Sequence, residues 1–182
     1  MGGFFSELVR HWKLLPLITV LGLSNGLPFG YHVSVISSSS VFVRSFINQT
    51  WIGRYGSPVP TETLTLLWST TASVLSLGGL LGSLSSGYMT RRFGKRTCHV
   101  ISGLMGITAS LCLGFSKMVG SYEMIVVGRL LYGIAIGLGI NIYGQYLGET
   151  APRNLRGFTN TTCPIFVTTG KLFGQVVGLS YA

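Results

Sequence analysis

A chain of 182 residues with only 9% charged residues, 47% hydrophobic residues and a mean hydropathy of +0.54 has too little polar surface for a soluble domain. The net charge of +9 does not indicate a nucleic-acid binder, because the basic residues are distributed between long apolar stretches instead of covering a polar domain. Cys98, Cys112 and Cys163 are odd in number and lie within or beside those stretches, which excludes a disulfide framework.

A helix rising about 1.5 Å per residue needs about 20 apolar residues to cross about 30 Å of hydrocarbon. Five stretches meet that length, so the predicted class is an all-α, multi-pass membrane helix bundle. Residues 1–13 form a short N-terminal segment, with Met1 to Ser6 fitting the loose myristoylation pattern and Arg10 and Lys13 preceding the first apolar run. The first predicted span covers residues 14–37. It continues too far without a small-residue cleavage site to read as a signal peptide. Residues 38–63 form the only long connection, containing Pro58, Pro60 and the sequon Asn48-Gln49-Thr50. The second predicted span is 64–87, followed by a turn crowded with Arg91, Arg92, Lys95 and Arg96. The third is 98–116. The fourth is 123–147, with Arg129 one turn inside it, and Pro152 stops it. The fifth is 158–181 and carries Lys171 near its middle.

The distribution of Lys and Arg orients the bundle. The N-terminal segment, the 91–96 turn and the Arg153 to Arg156 turn are basic, and the other connections carry only Arg44, Arg54 and Lys117. Enrichment of cytoplasmic loops in Lys and Arg places residues 1–13 in the cytosol and the 38–63 connection outside, where Asn48 is a candidate for glycosylation. A second sequon, Asn160-Thr161-Thr162, falls on the cytoplasmic side and is read as chance.

Glycines recur every four residues: Gly22, Gly26 and Gly30; Gly78 and Gly82; Gly133 and Gly137; Gly170, Gly174 and Gly178. Each set lies on one helix face and predicts close backbone contact with another helix. On the fifth span Thr161, Pro164, Thr168, Lys171 and Gln175 recur at intervals of three and four, so they share a face directed at a cavity or another helix. Lys171 at membrane depth needs a partner, water or neutralisation; attraction of an anionic substrate and snorkelling beside Gln175 both satisfy that. In the basic turns, Gly94 permits a tight reversal and Glu149 is positioned to pair with Arg156 or Lys95, alongside the plainer reading of membrane anchoring. His32 reads as a packed histidine. No metal spacing, nucleophile with a base or phosphate loop is present, so no enzyme and no cofactor is expected.

Several motifs, in chain order, resemble the sugar porters of the major facilitator superfamily, specifically the facilitative glucose and fructose transporters of animals. They are Phe29-Gly30-Tyr31, Asn48-Gln49-Thr50-Trp51, Leu67-Trp68-Ser69, Arg92-Phe93-Gly94-Lys95-Arg96, Gly128-Arg129, Tyr146-Leu147-Gly148-Glu149, Pro152, Leu155-Arg156-Gly157 and Gly174-Gln175-Val176-Val177-Gly178. The resemblance implies a twelve-helix transporter of two six-helix halves, of which residues 14–182 form part of the first half and the second half is the missing partner. It implies a small-molecule substrate, a hexose of the glucose or fructose type, moved down its gradient in a plasma membrane, and no nucleic acid. It assigns Phe29, Val33, Ser37, Pro164, Val167, Thr168, Lys171 and Gln175 to the substrate path. Lys95, Glu149 and Arg156 are assigned to a cytoplasmic ion-pair gate. Gly94, Arg96, Arg129, Pro152 and Gly157 are assigned to structural motifs. The chain departs from the family at several of these places. Pro164 stands where many relatives have a sugar-binding glutamine, Val33 and Ser37 replace more polar residues, Lys95 replaces an arginine, and Arg91 stands where Asp or Asn is favoured. Two other readings follow from these departures and from the length: a carrier for a non-sugar or anionic substrate such as urate, and a truncated, non-transporting product that associates with full-length carriers.

Overall fold

The computed structural model describes residues 11, 12 and 14–179; the myristoylation pattern, Arg10, Lys13 and the last residues of the fifth predicted span lie outside them. Among the described residues there is no strand. The helices, in chain order, are α1 (Leu14–Leu21), α2 (Leu27–Ser38), α3 (Ser40–Tyr55), α4 (Thr61–Phe93), α5 (Lys95–Val119), α6 (Tyr122–Thr150) and α7 (Arg156–Leu179). A π-helical turn, Gly22–Gly26, joins α1 to α2, and a 3-10 turn, Arg153–Leu155, precedes α7.

Glycines in left-handed or extended positive-φ conformations end the helices at the sharp turns. Gly56 (φ 70°) returns its N–H to Ile52 after α3, and Gly120 (φ 62°) returns its N–H to Ser116 after α5. Gly94, with φ 79° and ψ 154°, separates α4 from α5 in a backbone region that is essentially glycine's alone. Helix α4 carries Glu62 in its first turn and Arg91 and Arg92 in its last, the arrangement that complements the helix dipole.

Two expectations change. The first span is not one uninterrupted helix, because the hydrogen-bond ladder shifts register through Gly22–Gly26. The cause is local. Pro28 has no N–H to return to the carbonyl four residues back, and the buried Asn25 side chain reaches the Leu21 carbonyl at 3.1 Å and the Ser24 hydroxyl at 3.0 Å. The 38–63 connection is not an open loop either: residues 40–55 form α3, a helix of 16 residues that buries Ile47. Its polar residues and two arginines keep it out of any hydropathy-based reading of spans, yet it contains no proline and only one glycine, at position 53.

By length and composition four helical stretches are apolar enough to cross a membrane: Leu14–Ser38, Thr61–Phe93, Lys95–Val119 and Tyr122–Thr150. Helix α7 forms at the fifth predicted place and spans 24 residues, with Asn160, five threonines from 159 to 169, Lys171 and Gln175 keeping it out of those four apolar stretches. The chain divides into two compact units, residues 36–139 and the remainder. In the first of these, Gly78 and Gly82 of α4 pack on Gly133, Ile134 and Leu138 of α6. Ser102 of α5 donates a buried hydrogen bond to the Ala135 carbonyl of α6 at 2.7 Å. In the other unit Leu14, Ile18 and Leu21 of α1 form a core with Tyr143 and Leu147 of α6 and with Leu155, joined at its edge by Phe158, Cys163 and Phe166.

Candidate functional site

The unit made of residues up to 35 and from 140 onward contains most of the residues assigned to the substrate path. Its organising contact is a glycine seam between α2 and α7. A Cβ placed on Gly30 would fall on the carbonyl oxygen of Val167 and lie 2.8 Å from the Lys171 amide nitrogen. A Cβ on Gly174 would lie 2.9 Å from both the Tyr31 carbonyl and the Ser34 Cβ, and one on Gly170 would lie 3.0 Å from the Tyr31 amide nitrogen. Only glycine on both helices permits backbones to approach this closely. On the N-terminal side of the seam, the Phe166 ring fills the space beside Gly22, and its Cβ lies against Gly26.

This seam fixes the rotation of α7. Thr159 and Thr162 are buried, and Thr162 shares a 2.7 Å hydrogen bond with the Tyr143 hydroxyl of α6 while donating to the Thr159 carbonyl at 2.6 Å. Thr161, Pro164, Thr168, Lys171 and Gln175 all lie on the opposite, exposed face. Val167 is at the edge of the seam and half-buried, as are Phe29 and Val33 of α2; Ser37, in the other unit, is exposed. The hydroxyls of the stripe are already committed: Thr161 donates to the Phe158 carbonyl at 2.8 Å, and Thr168 to the Pro164 and Ile165 carbonyls at 2.9 Å each.

At the end of α6, Pro152 opens the 3-10 turn, and its carbonyl accepts from the amides of Leu155 and Arg156 at 2.9 and 3.1 Å. The Arg156 guanidinium donates through Nε to the Ala151 carbonyl at 3.3 Å, and Glu149 sits exposed on the last turn of α6. Gly157 faces open space. Lys95, Gly94, Arg96 and Arg129 belong to the 36–139 unit, so the three gate residues are divided between the units. Arg129 is only 7% exposed within α6, and its Nη1 has no hydrogen-bond partner among the described residues.

Two clusters in the 36–139 unit escaped the sequence reading. Arg54, at the end of α3, pairs with Glu123 through Nη1 and, through Nη2, reaches the other Glu123 oxygen at 3.2 Å and Ser121 Oγ at 2.9 Å; its guanidinium also lies 5.5 Å from the Tyr122 ring centroid. The hydrogen bond to Glu123 pushes the Arg54 pKa further up from its already high ordinary value. Nothing in spacing marks this pair, because the two residues are 69 positions apart and meet only through the fold. Asn48, the sequon asparagine, accepts a 3.2 Å hydrogen bond from the Val59 amide and so closes the turn between α3 and α4. The sequence signal for Asn48 was its sequon; the structural task of its carboxamide carried no signal.

A family model described as "Sugar (and other) transporter" matches residues 18–182. The chain belongs to this sugar transporter family. It is 39% identical over 173 residues to human (Homo sapiens) solute carrier family 2, facilitated glucose transporter member 11, a match covering 95% of this chain and 35% of the relative. It is 38% identical over 174 residues to facilitated glucose transporter member 5 of Bos taurus, covering 93% of this chain and 35% of that protein. Against facilitated glucose transporter member 1 of Gallus gallus the identity is 39% over 153 residues, covering 84% and 31%. This sugar transporter family chain is thus a multi-pass membrane protein that spans about a third of the length of the curated relatives it matches.

Proposed function

We propose that this chain forms part of a facilitative hexose carrier of the plasma membrane that moves glucose or fructose down its gradient by alternating access. The observation that carries the reading is the identity of 37 to 39% to facilitated glucose transporter members 1, 5 and 11 along 84 to 95% of the chain. In this reading residues 1–13 are cytoplasmic, the segment containing α3 and Asn48 is extracellular and glycosylated, and residues 14–182 supply helices of the first six-helix half. The exposed stripe of α7, with Phe29, Val33 and Ser37 of the first span, lines one wall of the sugar path, and the second half of the carrier supplies the other. Lys95, Glu149 and Arg156 act as gate residues that pair with counterparts on the second half of the carrier to close the cytoplasmic end.

The chain's departures at Pro164, Val33 and Lys171 favour a second substrate class, a small organic anion such as urate, at the same wall. Pro164 and Val33 offer a hexose no hydrogen bond, whereas Lys171 offers an exposed cation. Uptake of radiolabelled D-glucose, L-glucose, fructose and urate is measured in oocytes expressing the complete gene product and, separately, the 182-residue polypeptide. Saturable uptake of D-glucose or fructose over L-glucose is the expected result, and urate uptake without hexose uptake selects the anion reading. No uptake of any of the four by the complete product overturns both. If the 182-residue polypeptide alone lowers uptake by a co-expressed full-length carrier, the non-transporting associate is the better account.

A further inference from the structure

Four of the chain's 13 Lys and Arg residues fall within residues 91–96, at the turn between α4 and α5. Gly94 makes that turn tight: its amide returns to the Thr90 carbonyl and its carbonyl accepts from the Cys98 amide, both at 3.1 Å. Arg91, Arg92 and Arg96 are exposed. Nothing acidic in the neighbouring sequence offsets them. No Asp or Glu occurs between Glu62 and Glu123, and none lies in the first turn of α5. Glu62 is in the first turn of α4, whose 33 residues put it about 50 Å from the basic turn, and Glu123 is paired with Arg54.

The surroundings of these charges are those of a lipid boundary. The exposed rings of Tyr88 and Phe93 flank them, and aromatic side chains of this kind collect at the headgroup level of bilayers. Arg92 is held among these rings, donating to the Tyr88 hydroxyl at 3.3 Å with its guanidinium 6.0 Å from the Phe93 centroid. Helix α4, at about 50 Å, is longer than the roughly 30 Å hydrocarbon layer, and its charge-free residues 63–90 fill that layer and carry Arg91 and Arg92 into the headgroups.

We propose that Arg91, Arg92 and Arg96, with the rings of Tyr88 and Phe93, form a docking surface for anionic phospholipid headgroups of the leaflet that this turn faces. The proposal rests on the chain spanning a bilayer and not on which sugar it carries. Each exposed arginine next to an anionic membrane surface contributes about a five-fold preference, so Arg91 and Arg92 together contribute about 30-fold at low salt.

The test reconstitutes the purified chain in phosphatidylcholine vesicles containing spin-labelled phosphatidylserine or spin-labelled phosphatidylcholine, and reads the fraction of each label immobilised at the protein. The wild type is expected to favour phosphatidylserine, and the preference should weaken in about 0.5 M salt. The R91Q/R92Q variant should lose most of the preference, and R91K/R92K should keep most of it. Equal immobilisation of the two lipids by the wild type, or loss of the preference in R91K/R92K equal to that in R91Q/R92Q, overturns the proposal. So does removal of the preference by inorganic phosphate at matched ionic strength, which would assign the turn to a soluble anion. Where R91Q/R92Q does not fold, the salt titration of the wild type and the lysine variant still decide the matter.

Discussion

Replacing Gly30 by alanine adds one methyl group at the point where α2 and α7 meet. The new Cβ would fall on the Val167 carbonyl oxygen, 2.8 Å from the Lys171 amide nitrogen and 2.9 Å from the Val167 carbonyl carbon, whereas ordinary contact begins at 3.4 Å. All three are backbone atoms of a helix, so no side chain can rotate away and the two helices must separate along the seam. Overpacking of this kind costs about 1–3 kcal/mol, and the lack of a movable neighbour puts Gly30 at the upper end, about 3 kcal/mol. Alanine returns about 1 kcal/mol through its higher helix propensity, which leaves a net loss of about 2 kcal/mol. For a chain of this size that corresponds to a fall in melting temperature of about 4–8 °C. Thermal unfolding in detergent, followed with a dye that reacts with the free thiols of Cys98, Cys112 and Cys163 as they become accessible, measures it. Gly103→Ala is the control: nothing lies within 4 Å of a Cβ at that position in α5, so only the helix-propensity gain remains and the melting temperature should rise by about 2–4 °C. A G30A protein as stable as the wild type, or a G103A protein equally destabilised, would refute the reasoning.

Three further outcomes follow from individual contacts. Gly94→Ala should lower stability by about 1–3 kcal/mol although its Cβ meets nothing within 4 Å, because the strain lies in the backbone at φ 79°; the same thermal assay detects it, and an unchanged melting temperature would contradict the turn geometry. In unglycosylated protein, Asn48→Gln should cost about 1 kcal/mol by releasing the Val59 amide, while Thr50→Ala, which equally destroys the sequon, should cost less; equal effects would mean that the Asn48 carboxamide has no structural task. Arg129→Met in the 182-residue chain should be neutral or stabilising, since it removes a buried guanidinium whose Nη1 has no partner among the described residues; a loss above about 2 kcal/mol would show that the guanidinium is compensated.

What was legible in the sequence differs from element to element for physical reasons. Charge-free runs located α4 and α5, and a run carrying the single charge of Arg129 located α6, because the stretch of a helix that crosses hydrocarbon admits few charges. The four-residue glycine spacing marked the close-packing faces, but spacing does not name a partner. That Gly30 meets Val167 and Lys171, and Gly78 meets Leu130 and Gly133, depends on which helices the fold brings together. Helix α3 was hidden because a short polar helix leaves no hydropathy signal, and the π turn was hidden because it depends on where one buried amide, Asn25, finds its acceptor. The Arg54–Glu123 pair was hidden by sequence distance alone.

The polar stripe of α7 shows how a shared helix face still leaves its chemistry open. The spacing placed Thr161, Pro164, Thr168, Lys171 and Gln175 on one face, and that face is exposed. Spacing says nothing of how the hydroxyl protons are used. Thr161 and Thr168 spend theirs on backbone carbonyls, and Pro164 has no donor to give. The threonines therefore present only acceptor lone pairs, and the donors of the stripe reduce to the Lys171 ammonium and the Gln175 amide, one helical turn apart. A hexose on this wall would donate its own hydroxyl protons to the threonines and accept from those two side chains. An organic anion would use the two donors alone and gain nothing from the threonines. Thr168→Val, which removes the acceptor and keeps the shape, therefore separates the substrate classes: hexose uptake should fall several-fold with it, and anion uptake should not. An unchanged hexose uptake in that variant would mean that the sugar does not touch this part of α7.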